Sequence, residues 1–364
     1  MRKLLLLLSA IISSSVLADP ATLKILNWGN YISPEVLAEF EQQQNVKVEY
    51  VEFNNEEEFK FMLFDDNSDF DVVFPSSRII NQLSSRQIIQ QLDVSRLPAL
   101  ADIRPEIRSQ FQRHDVRGDY GVPYMWGTTG LGINTRLLAQ QGLGEKDYSL
   151  KLFDETTRQQ AAHCGIALLY ERDEIFAAAL KYMGASVNTE DRAVLSRAGA
   201  LVGAALKDVS YLHSTQYLDD LAAGNVCVTL GYSGDILGAI EGHDELAYII
   251  PPEGAAMWID VMAIPARARN LELAYQFINF LMKPETAAQN SNYLDYPTVM
   301  NSSLPLINPD VLNNPGIYPP LQLQASLETL SPVGTTANKR MNKEWVKSVC
   351  ASGKYCTVPV SAYF

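Results

Sequence analysis

Cysteine and histidine are scarce in this chain of 364 residues, with four of each. The histidines, His114, His163, His213 and His243, stand singly, and the cysteines, Cys164, Cys227, Cys350 and Cys356, form no paired C-x-x-C. A zinc site is therefore not expected, and no metal or other cofactor is implied. Positive charge is also in deficit: 29 Lys and Arg stand against 42 Asp and Glu, a formal net charge of −13. That argues against a nucleic-acid partner, which needs a basic surface to meet phosphates. Internal repeats and low-complexity linkers are missing. Beyond the first residues, no apolar run reaches the ~17–25 residues of a membrane-spanning helix, so membrane insertion is not expected. What is present, 47% hydrophobic and 20% charged residues, is the composition of a folded protein. Its length favours two domains, since one core rarely grows beyond about 250–300 residues.

Residues 1–18 read as a secretory signal peptide. Arg2 and Lys3 give the positive start, residues 4–12 the apolar run, and Val16-Leu17-Ala18 small or modest residues before a cut. The expected mature start is Asp19. Because that residue is not Cys, no lipid attachment is expected, and the protein is placed free in the periplasm. In that oxidising compartment a disulfide is expected between Cys350 and Cys356, which bracket the short loop Ala-Ser-Gly-Lys-Tyr. Cys164 and Cys227 lie in strand-like apolar segments and either pair or remain buried thiols.

Strand and helix signals alternate. Residues 23–26 form a strand. Ser33-Pro34-Glu35 then opens a helix with a capping Ser, Pro at the first helical position and an acid suited to the positive helix end. Residues 46–50 alternate with period two, residues 55–65 are helical, and the strand 70–74 runs into Pro75-Ser76-Ser77. This βαβαβ rhythm predicts a mostly parallel sheet with helices on both faces. A second α/β block starts near Gly130, with strands at 165–170, 226–230 and 258–265. Its helices fall at 174–183 and 271–282, with a late helix around 338–349.

Several segments together resemble the periplasmic spermidine/putrescine-binding proteins. They are Leu26-Asn27-Trp28-Gly29-Asn30-Tyr31-Ile32-Ser33, Asp69-Phe70-Asp71-Val72-Val73-Phe74-Pro75-Ser76, and residues 122–134 from Val122-Pro123-Tyr124 to Gly132-Ile133-Asn134. Trp258-Ile259-Asp260-Val261-Met262 and Tyr296-Pro297-Thr298 complete the set. They keep the family's order across residues 23–301. The resemblance implies a type II-like periplasmic binding protein with two discontinuous α/β lobes, a hinge and an interlobe ligand cleft. The expected lobes are residues 19–129 plus 259–304 and residues 130–258 plus 305–364. The crossovers would lie near residues 128–131 and 258–262.

The implied ligand is a linear polyamine, an apolar chain studded with ammonium groups. Carboxylates meet its charges and aromatic rings line its methylenes. Trp28 and Tyr31 follow the first strand, where ligands of open α/β sheets bind, and the family sandwiches the chain there. Trp258 and Asp260 are two apart on a strand and so share a face. The resemblance makes Asp260 the carboxylate that grips an ammonium. Glu171 and Glu174, three apart at a helix start, match acids that bind a second ammonium. Their ordinary reading is dipole compensation at a helix N-terminus. Tyr232 and Asp235, in a Gly-Tyr-Ser-Gly-Asp turn, resemble an aromatic–acid pair of the putrescine-binding branch. Tyr296 and Ser76 complete the expected lining. Arg78 stands where the spermidine-binding branch commonly has Tyr. A guanidinium there repels an ammonium unless a carboxylate neutralises it, so Arg78 is expected to pair with Glu171, to point to solvent, or to signal a ligand bearing a carboxylate.

An enzyme is not expected. Gly-Tyr-Ser-Gly-Asp lacks the final Gly of a G-x-S-x-G nucleophile elbow, and no His is placed as base. A sugar-binding protein is a further alternative, since acids flanked by Trp serve both ligands. The resemblance implies a monomer that delivers a polyamine to an inner-membrane permease of an ABC transporter. Some relatives instead sense spermidine or norspermidine and report to an inner-membrane signalling receptor that controls cyclic-di-GMP and biofilm formation.

Overall fold

The computed structural model describes residues 20–353. The expected signal peptide and Cys356 lie outside the described residues. Among the described residues ten strands form two sheets. They are β1 (Thr22–Trp28), β2 (Lys47–Phe53), β3 (Val72–Val73), β4 (Val122–Asn134), β5 (Ile166–Leu168), β6 (Tyr211–Leu212), β7 (Val228–Tyr232), β8 (Leu246–Ile249), β9 (Ala256–Met262) and β10 (Glu328–Thr329). The first sheet is parallel with order β2-β1-β3, as the βαβαβ rhythm predicts. The second is mixed. Its order is β10-β9-β4-β7-β5-β6, and β4 runs antiparallel to β7, β8 and β9.

Local chemistry sets the helices of the first sheet. Ser33 precedes the helix Pro34–Gln44, and its hydroxyl donates to Glu35 at 2.6 Å rather than capping a backbone N–H. Asn45 ends that helix in the left-handed region, at φ 50°, which Asn tolerates better than most residues. Asn55 caps the helix Glu56–Phe64 by accepting from the Glu58 N–H at 2.8 Å. Asp71, inside one of the family-like segments, has a structural role. Its carboxylate accepts from the N–H groups of Lys24, Arg269 and Asn270, tying β1 to the start of the helix Leu271–Leu281.

β4 joins the two halves of the fold. Its thirteen residues are all buried. Residues 122–129 pair with β9, residues 129–133 with β7, and residues 131–134 with β8. One apolar cluster gathers β1, β3, the first half of β4, β9 and the helix Leu271–Leu281. A second gathers the end of β4, β5, β7 and the helices Arg172–Tyr182, Arg192–Asp208 and Thr335–Ala351. The last two helices pack against each other through Gly199, where an added methyl would meet Glu344 Cβ at 2.5 Å.

Several local expectations are corrected. The strand expected over 70–74 is reduced to Val72–Val73, which pair with Ile25 and Leu26 of β1; beyond that ladder this stretch makes only isolated bridges, Val73 to Ala263 and Ser76 to Asp260. The segment read as a Gly-Tyr-Ser-Gly-Asp turn is no turn: β7 ends at Tyr232 and the helix Ser233–Ala239 follows directly. Cys164 and Cys227 are paired in a disulfide with Cα atoms 5.5 Å apart. Cys164 lies in the turn before β5 rather than in a strand. Cys350 is disulfide-bonded as well. Among the described residues no helix is long and apolar enough to cross a membrane, and no cluster of His, Cys, Asp and Glu could hold a metal.

Candidate functional site

Most of the expected site residues meet where β9 passes the segment after β3. The bridge between Ser76 and Asp260 brings the Pro75-Ser76 loop against β9, and the Val261 N–H donates to Pro75 O at 3.0 Å. The Ser76 hydroxyl caps nothing. Around this point the aromatic rings form a chain. Tyr232 meets Trp258 at 6.2 Å between centroids, Trp258 meets Tyr296 at 5.1 Å, Tyr296 meets Tyr31 at 5.5 Å, and Tyr31 meets Tyr124 at 5.6 Å. All four contacts are edge-to-face, the favoured geometry of facing quadrupoles.

Glycine makes two of these ring positions possible. A methyl group at Gly127 would lie 2.2 Å from Trp258 Cζ2, and one at Gly234 would lie 2.2 Å from Tyr296 Cζ. No side chain fits there, so each ring lies directly on backbone. Trp28 stands apart from the chain. Its ring packs on Phe53 with centroids 4.4 Å apart, at the end of β1. The indole nitrogens of Trp28 and Trp258 are buried and have no hydrogen-bond partner.

Four carboxylates face this aromatic chain, and none of them forms an ion pair among the described residues. Asp260 is only 7% exposed. Burial pushes its carboxyl up to about 8, and the Tyr31 hydroxyl and Arg78 charge offset only part of that. The Tyr31 hydroxyl itself completes no well-formed hydrogen bond. Glu174 is equally buried, with Oε2 unpartnered. Burial raises it to about 7, against the opposing effects of Thr129 and Arg78. Glu171, half-buried at the N-cap of the helix Arg172–Tyr182, also reaches about 7 through burial. It makes no side-chain cap, so dipole compensation alone does not account for this pair of acids. Asp235 is exposed at the surface, and desolvation by the protein around it raises its carboxyl too. The Tyr296 hydroxyl, which donates to Asp235 Oδ1 at 2.9 Å, counteracts that rise.

Arg78 corrects one expectation. It neither pairs with Glu171 nor points freely to solvent. Its Nε donates to Glu56 Oε2 at 2.8 Å and its Nη1 to Asp173 Oδ2 at 3.3 Å. Neither partner was foreseen from the sequence. Tyr124 was also missed, although it lies in a family-like segment; its hydroxyl donates to Tyr31 O at 3.0 Å. Ser233 is buried and its Oγ accepts from the Thr128 N–H at 3.4 Å.

Buried carboxylates beside aromatic faces are an arrangement whose chemistry suits a cation. A model of the family described as bacterial extracellular solute-binding protein matches residues 35–319. The chain is 33% identical over 351 residues to the putrescine-binding periplasmic protein PotF of Escherichia coli K12, covering 93% of this chain and 94% of that protein. The chain belongs to the bacterial extracellular solute-binding proteins. It is also 34% identical to the putrescine-binding periplasmic protein SpuD of Pseudomonas aeruginosa, covering 91% of this chain and 92% of that protein. Among solved structures it matches a putative spermidine/putrescine ABC transporter protein of Listeria monocytogenes. That match has a TM-score of 0.78 and 27% identity, covering 90% of this chain and 98% of the other. The spermidine/putrescine substrate-binding protein PotD of Streptococcus pneumoniae shares the fold, with a TM-score of 0.81 at 24% identity over 91% of this chain and 99% of that one. The type II periplasmic binding fold expected from the sequence is the fold observed.

Proposed function

We propose that this solute-binding protein takes up a linear polyamine of the putrescine–spermidine class in the periplasm and delivers it to an inner-membrane ABC transporter. The observation that carries the reading is the set of carboxylates on one aromatic wall. Asp260, Glu171 and Glu174 are raised by burial and have no ion-pair partner among the described residues. An isolated buried carboxylate is costly, and an ammonium brought by the ligand removes that cost. The rings of Trp258, Tyr232, Tyr296 and Tyr31 supply flat apolar faces for methylenes and negative faces for ammonium groups. Asp235, steadied by Tyr296, marks a second charged end. Trp28 and Ser76 complete the lining. The relatives' names point to the same ligands.

In this reading residues 19–129 plus 259–304 form one lobe and residues 130–258 plus 305–364 the other, with β4 and β9 as the hinge strands. Closure excludes water and strengthens each ion pair. No step of this cycle needs a cofactor or a covalent intermediate.

Calorimetric titration of the purified protein with putrescine, spermidine, norspermidine and spermine, with an amino acid as control, tests the reading. Saturable heat with at least one amine and none with the amino acid is expected. No heat with any amine contradicts it. Loss of labelled-amine uptake in a strain lacking the protein tests the delivery step.

A further inference from the structure

A cation, Arg78, stands beside the acids of the site. Through Nε and Nη1, Arg78 bridges Glu56 and Asp173. Glu56 opens a helix beside the parallel sheet, and Asp173 lies in the first turn of the helix Arg172–Tyr182 beside the mixed sheet. The bridge therefore links the two halves of the fold. Arg78 is also felt inward, where its charge helps to hold down the carboxyls of Glu171, Glu174 and Asp260. Asp235 is governed instead by burial and Tyr296. Asp173, which Arg78 holds at 3.3 Å, lies between Glu171 and Glu174 at the start of one helix, so the guanidinium belongs to the Glu171–Glu174 end of the site, whereas Asp235 lies in the first turn of the separate helix Ser233–Ala239 beside Tyr296.

Neither counter-ion depends on Arg78 for its charge balance. Glu56 also pairs with Lys60, and Asp173 with Arg172. A guanidinium stays charged at every relevant pH. Fixed among half-buried acids, it is a like charge to any ammonium that approaches the same end, and such repulsion is a recognised way of building specificity.

Building on the polyamine reading above, we propose that Arg78 determines specificity by acting as a resident cation at the Glu171–Glu174 end, occupying the place of a third ammonium so that the site favours a diamine over longer amines. Two carboxylates, Asp260 and Asp235, remain for the two ends of a diamine. A triamine has to bring its extra ammonium against the guanidinium.

The test is the ratio of putrescine to spermidine affinity, measured by calorimetry on the full-length mature protein. The native protein is expected to favour putrescine by about tenfold or more. Arg78→Gln is expected to shrink or reverse that preference by about tenfold, chiefly through tighter spermidine binding. Arg78→Lys, which keeps the charge, is expected to retain the native ratio. Thermal unfolding checks that the variants fold; if Arg78→Gln melts early, Arg78→Met keeps the apolar stem and carries the same comparison. A ratio in the neutral variant within about threefold of native overturns the proposal while leaving polyamine binding intact, as does native protein that binds spermidine as tightly as putrescine. Native protein that binds no amine overturns both.

Discussion

Tyr296 and Asp235 hold each other through two hydrogen bonds. The Tyr296 hydroxyl donates to Asp235 Oδ1 at 2.9 Å and accepts from the Asp235 N–H at 3.2 Å. The Tyr296 ring rests on Gly234 and meets the edge of Trp258. One side chain thus steadies a carboxylate and joins the aromatic wall. Hydrogen bonds to charged groups contribute about 1.5–3 kcal/mol. Tyr296→Phe keeps the ring and removes only the hydroxyl. It is expected to weaken putrescine binding by about tenfold or more, measured by calorimetry, with little change in melting temperature. Unchanged affinity would show that Asp235 holds its place without Tyr296.

Asp260→Asn separates binding from stability. Removing the partner of a desolvated ammonium is expected to cost about 2–5 kcal/mol of putrescine affinity. The same change removes a buried carboxylate that has no ion-pair partner among the described residues. The ligand-free variant is therefore expected to melt at or above the native temperature at pH 8.5. A variant that melts much earlier yet still binds putrescine would place Asp260 in the framework rather than in the site.

Much of this site can be read from the sequence, and the exceptions have physical reasons. Trp258 and Asp260 are identifiable because period two on a strand fixes their common face. β1, β2 and the helix after β1 follow from alternation and from Ser33-Pro34. β4 is harder to recognise. It is buried on both faces, so it has no alternation, and it carries Pro123 and three glycines. Asp235 is misplaced in a turn because Gly231 and Gly234 look like turn residues. Both instead make room for tyrosine rings, those of Tyr217 and Tyr296. The partners of Arg78 lie 22 and 95 residues away in sequence, and no local pattern encodes such a pairing.

The raised acids give the protein a pH dependence of defined sign. In the ligand-free fold Asp260 titrates at about 8 and Glu171 and Glu174 at about 7, whereas unfolded carboxyls titrate near ~4. Between those values the folded state holds protons that the unfolded chain has released. Stability of the ligand-free protein therefore falls as pH rises from about 4 towards about 8. Amines remain charged over this range and one ammonium binds ionised Asp260, so putrescine affinity is expected to rise from pH 6 to pH 8.5. At pH 7, titrations in two buffers of different ionisation enthalpy are expected to reveal net proton release. Affinity and heat independent of pH and buffer would contradict the placement of an ammonium group on Asp260.

The disulfide between Cys164 and Cys227 closes a loop of sequence separation 63. Chain-entropy reasoning gives such a crosslink about 4 kcal/mol of stabilisation. It anchors the segment before β5 to the residue before β7, and β7 leads into Tyr232 and Asp235. Replacing both cysteines by Ser is expected to lower denaturant stability by about that amount and to leave putrescine affinity at saturating fold within about threefold. Unchanged unfolding would show that the unfolded chain is already constrained here.

The most direct test of the account is a crystal structure of the protein grown with putrescine. The account predicts one terminal nitrogen within about 3 Å of an Asp260 carboxylate oxygen, with the methylenes lying against the rings of Trp258 and Tyr296 and the other nitrogen directed to Asp235. Putrescine bound elsewhere, or bound here with Asp260 turned away from both nitrogens, would contradict it.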